Sequence, residues 1–89
     1  MSEREAAQQV FDTLKLAAGK PAQAALADLN GLIPLVRGGG AQGLEAEEAR
    51  ASAFLSICEV GKALHRGQKT DGLFAAAIKA TERWMAVAG

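Results

Sequence analysis

Apolar side chains recur every three or four residues in four stretches of the chain, the spacing that lines one side of an α-helix. The longest, 44–66, predicts a helix of about six turns. Its stripe reads Ala51, Phe54, Leu55, Cys58, Gly61, Leu64 and His65, widened by Ile57, with Glu45, Glu48, Ser52, Glu59 and Lys62 opposite. Acidic residues open this stretch (Glu45, Glu47, Glu48) and basic ones close it (Lys62, His65, Arg66), the order that the helix macrodipole favours. Gly67 follows as a left-handed cap. The small residues Ala49, Ala53 and Gly61 leave room for another helix to approach.

Before it, Ser2 and Glu5 have the spacing of a capping box, so a first helix starts near Glu3. Ala7, Val10, Phe11, Leu14 and Ala18 form its stripe and Gly19 its stop, giving a helix over about 3–18. Pro21 suits the first position of a second helix, which carries Ala22, Ala25, Leu26 and Leu29 on one side. Asn30-Gly31 and Pro34 predict its end near residue 30. Leu32, Ile33, Leu35 and Val36 then fall outside regular helix, either as an apolar plug for the end of a bundle or as a contact surface. Residues 37–43 read as a flexible glycine-rich loop. After the long helix, Thr70 or Asp71 caps a last one over about 71–88, with Leu73, Phe74, Ala77, Ile78, Thr81, Trp84, Met85 and Ala88 on one side. The short turn before it predicts an antiparallel return along the long helix.

These elements define an all-α chain: a single domain over 1–89, folded as an irregular four-helix bundle that ends in a long antiparallel helical hairpin. At 89 residues the core is small, and self-association would add to it.

Charge narrows the classes of partner. Ten basic and ten acidic side chains leave no net charge to draw in a polyanion or an anionic membrane. The charge is nevertheless uneven, −3 over residues 1–60 and +3 over 61–89, which suits head-to-tail contacts. A single cysteine permits no internal disulfide, and the charged start MSEREAAQQ lacks the apolar run of a secretory signal. No window approaches the roughly 18 apolar residues of a membrane span. The expected location is the cytoplasm, without membrane attachment.

Candidate chemistry is sparse. Gly38, Gly40 and Gly43 satisfy G-x-G-x-x-G between LIPLV and a helix, but Pro34 interrupts any strand and no second strand follows, so a dinucleotide site cannot be built. Cys58 and His65 share a helix face yet stand about 10.5 Å apart along the axis, too far to share a proton or a metal ion. Glu45, Glu47 and Glu48 read as a solvated helix start. No catalytic, metal-ligating or cofactor-binding residue is therefore assigned, and no cofactor is expected.

Two non-catalytic readings are left. The last two helices have the outline of a helix-turn-helix, with Lys62, Arg66, Lys69, Lys79 and Arg83 near the turn and along the final helix. That final helix opens with GLFAAA, which offers no groups for base edges, so only weak phosphate contacts would follow. The favoured reading is a small protein-interaction module, an adaptor, chaperone-like protein or regulatory subunit, acting as a homodimer. Its anchor candidates are Ile33 and Val36 in the apolar elbow and Trp84 and Met85 near the end of the chain.

Overall fold

The computed structural model describes residues 2–37 and 43–88. Four helices account for almost all of them: α1 (Glu3–Ala17), α2 (Ala22–Arg37), α3 (Leu44–His65) and α4 (Asp71–Val87). No strand occurs among the described residues. The helices pack as a closed ring, α1 on α2, α2 on α3, α3 on α4 and α4 back on α1. The fold is an all-α bundle.

Local chemistry explains where the helices begin and stop. At α1 both halves of the capping box form: the Ser2 hydroxyl accepts from the Glu5 N–H and the Glu5 carboxylate accepts from the Ser2 N–H, each at 3.1 Å. The Ser2 backbone and side-chain hydrogen bonds hold the Glu5 carboxyl below its ordinary value. At the end of α3, Gly67 adopts φ +69°, the Gln68 N–H reaches the Ala63 carbonyl at 2.9 Å and the Gly67 N–H reaches that of Leu64 at 3.2 Å. That pair of bonds is a Schellman motif, and only the left-handed region closes it. Pro21 precedes α2 rather than opening it, accepting from the Ala25 N–H at 2.9 Å. Thr70 occupies the N-cap position of α4 without a side-chain cap bond.

Helix α2 corrects the expectation of a break near Asn30. It continues to Arg37 with Pro34 inside it, so Leu32, Ile33, Leu35 and Val36 are helical. Leu29, Leu32 and Val36 are all buried on one side, whereas Asn30, Gly31 and Pro34 are exposed on the other. Proline removes the N–H that would bond the Asn30 carbonyl and costs about 3 kcal/mol in a helix interior. Burying Leu32 and Val36 returns about 1.5–3 kcal/mol each, and Ile33 and Leu35 add partial burial against the core. Tertiary packing therefore carries the helix across two local stop signals. The loop expected over 37–43 lies for the most part outside the described residues; Arg37 ends α2, and Gly43, at φ +94°, precedes α3.

The core interleaves alanines with larger side chains. Ala7, Val10 and Leu14 of α1, Ala25 and Leu29 of α2, Ala49, Ala53 and Ile57 of α3, and Phe74, Ala77 and Trp84 of α4 form one cluster. Thr81 is fully buried, and its hydroxyl donates to the Ala77 carbonyl at 2.8 Å, which keeps a polar group inside without an orphan.

Candidate functional site

Two places bring side chains together beyond the core. The first is a polar tie at one end of the bundle. The indole N–H of Trp84, whose side chain is only 1% exposed, donates to the Glu3 carboxylate at 2.8 Å, joining the first turn of α1 to the last turn of α4. On α3, the Arg50 guanidinium grips the Glu47 carboxylate through both oxygens, the Nε bond being 3.0 Å, and also donates to the Val36 carbonyl. That carbonyl is among the last four of α2, which have no partner within the helix. Arg50 thus caps α2 from α3. Its hydrogen bond holds the Glu47 carboxyl below its ordinary value, and Glu47 in turn raises the guanidinium further. Nothing in the pattern of apolar residues points to Arg50, because its partner carbonyl lies fourteen residues away on another helix.

The second place is the outer side of α3. The opposite, inner side of α3 buries Ala46, Ala49, Ala53, Ile57, Val60 and Ala63. The inner face is thus rotated by roughly a third of a turn from the stripe read off the sequence. In that stripe Phe54, Cys58, Gly61 and Leu64 are half-buried, His65 is exposed, and Leu55 is 63% exposed. Leu44 is 77% exposed. On the packed side four alanines leave room for α2 and α4 while Ile57 and Val60 fill the core, and Leu55 and Leu44 stay outside. Gly61 is not a point of close approach: a methyl group added there would meet nothing within 4 Å.

Along the outer side, Leu44, Glu48, Ala51, Leu55, Cys58, Lys62 and His65 alternate at intervals of four and three, the spacing of a coiled-coil seam. Its middle is apolar and its ends carry opposite charge. Lys62 contacts Glu59 at 3.5 Å, both side chains being about 60% exposed, a contact of little energetic consequence.

The four anchor candidates from the sequence lie elsewhere. Val36 is fully buried and Trp84 nearly so, both inside the chain's own core. Ile33 and Met85 are partly buried against that core. The basic residues Lys62, Arg66, Lys69, Lys79 and Arg83 are all exposed. Cys58 and His65 stand two turns apart on α3, and no group of three potential metal ligands occurs among the described residues. Of the acidic trio, Glu45 and Glu48 are exposed and Glu47 is held by Arg50. Gly38 and Gly40 of the glycine motif lie outside the described residues, and the segment before them is helical rather than a strand. A shallow open depression of about 380 Å³ on α1 is lined by Glu5, Gln8, Gln9, Asp12, Thr13 and Leu16, with neither a thiol nor an imidazole. Among the described residues no helix is long and apolar enough to cross a membrane.

No protein-family model, curated protein or solved structure gives a significant match to this chain.

Proposed function

We propose that the protein is a small, non-catalytic interaction module, an adaptor, chaperone-like protein or regulatory subunit, which works by presenting the outer side of α3 to a partner helix. One observation carries this reading. On α3 the chain encloses four alanines with Ile57 and Val60 and leaves Leu44 and Leu55 in solvent, beside half-buried Phe54 and Cys58. Leu16 of α1 is exposed as well but stands alone, whereas Leu44 and Leu55 share one line of α3 with Ala51 and Cys58, and it is an apolar line that marks a contact. With Ala51, which lies seven residues from both Leu44 and Cys58, these side chains suit a helix-against-helix contact in which apolar anchors lie three, four and seven residues apart.

The test is affinity capture with the immobilised protein, comparing the parent with Leu55→Glu. Leu55 is outside the core, so the variant keeps its helical circular dichroism. The reading predicts a captured protein, at defined stoichiometry, that is lost with Leu55→Glu. Identical capture profiles for parent and variant would overturn it.

A further inference from the structure

We infer that the outer side of α3 is a self-association site, on which a second copy of the chain docks its own α3 in antiparallel orientation about a two-fold axis near the middle of the helix. This rests on the interaction-module reading and names its partner. The seam is continuous over 22 residues, or about 33 Å. Ala51, Leu55 and Cys58 occupy its centre, with Phe54 flanking them. Among the described residues α3 packs only on α2 and α4, which cover its inner side and leave this line open. A two-fold contact needs only one self-complementary patch.

Charge selects both the occupant and its direction. Glu45 and Glu48 lie at the start of α3 and Lys62, His65 and Arg66 at its end, all exposed. In an antiparallel pair the acidic start of each helix meets the basic end of the other, so attraction occurs twice, once at each end of the seam. A parallel pair would set Glu48 against Glu48 and Lys62 against Lys62, which is repulsive. Lys62 is available for exchange because its contact with Glu59 is long and solvated. One helix pair buries little surface, so association is concentration-dependent, with half-dimerisation at about 10–100 µM.

Sedimentation equilibrium over about 1–500 µM reads this directly. The parent is expected to move from monomer to dimer. Leu55→Glu places two like charges near the axis and weakens the dimer at least about tenfold. Glu48→Lys weakens it about three- to tenfold by setting cation against cation at both ends, and Glu48→Lys with Lys62→Glu restores it to within about threefold. A parent that stays monomeric, a Leu55→Glu variant that dimerises like the parent, or a Glu48→Lys variant without effect would each overturn the antiparallel seam. If the parent is monomeric yet Leu55→Glu still abolishes capture of another protein, this inference fails and the interaction reading stands. If neither effect occurs, both fail.

Discussion

Trp84 is the largest fully buried side chain in the protein and its only tryptophan, so its removal tests how the bundle is closed. Trp84→Ala deletes an indole that is 1% exposed and packs in the cluster shared by all four helices. Changes of that kind cost about 3–5 kcal/mol. At about 0.05–0.15 kcal/mol per residue, the total stability of an 89-residue domain is about 4–13 kcal/mol, so the variant is expected to lose at least about a quarter of its stability or unfold outright. Trp84→Phe is the gentler probe. It keeps an aromatic ring but removes the N–H that donates to Glu3 at 2.8 Å, together with part of the volume. The expected loss is about 1–2 kcal/mol, or a fall in Tm of about 4–8 °C per kcal/mol for a domain of this size. Urea unfolding followed by far-ultraviolet circular dichroism measures both variants, since the tryptophan signal is gone. Pairing Trp84→Phe with Glu3→Ala in a double-mutant cycle isolates the link between α1 and α4, expected at about 1 kcal/mol. A Trp84→Ala variant that loses less than about 1 kcal/mol with an unchanged urea slope would refute the closure of the ring through α4.

Three further outcomes follow from the same structure. Gly31 and Gly61 lie inside helices with nothing within 4 Å of an added methyl group, so Gly31→Ala and Gly61→Ala should each stabilise the protein by about 0.5–1 kcal/mol in thermal melts; a loss at Gly61 would mean that another helix approaches there after all. Glu5 and Glu47 are held below their ordinary value in the folded chain, so each binds its proton more readily when unfolded. Their stabilisation is therefore complete above the ordinary glutamate range near about pH 4.3 and is lost as pH falls through the depressed folded values; urea midpoints measured between neutral and acidic pH should fall on the acid side, and Glu5→Gln with Glu47→Gln should flatten that fall. Arg50, 13% exposed in its side chain, caps α2 through the Val36 carbonyl. Arg50→Ala should cost about 1–2 kcal/mol and raise hydrogen exchange in the last turn of α2 more than in α1.

The helical class, the start of α1 and the packed face of α4 were legible in the sequence because local signals and tertiary packing agree there. The Ser2–Glu5 capping box forms as spaced, and the apolar stripe of α4 is the one that packs, from Phe74 through Trp84. Helix α2 was misread where the two levels conflict: Asn30-Gly31 and Pro34 signal a stop, but the burial of Leu32 and Val36 outweighs it. On α1 the buried position is Ala17 rather than Ala18, the expected last turn being one residue too long. The phase of α3 was hidden for a different reason. Apolar residues occupy most of its circumference, so periodicity alone cannot say which side faces inward, and large side chains fall on both sides, Ile57 and Val60 within and Leu44 and Leu55 without. Leu55 and Cys58 were visible as a stripe, but that Leu55 is exposed and Cys58 half-buried depends on the face of α3 that α2 and α4 cover. Arg50 and the Trp84–Glu3 bond were not legible, since both join elements distant in sequence.

The most direct test of the account is a residue-resolved dilution series, following backbone amide shifts by NMR from high to low protein concentration. The account predicts shifts that move together along Leu44, Glu48, Ala51, Leu55, Cys58 and Lys62, while the buried positions of α1 stay fixed. Spectra identical at all concentrations, or changes confined to α1 around Leu16, would contradict it.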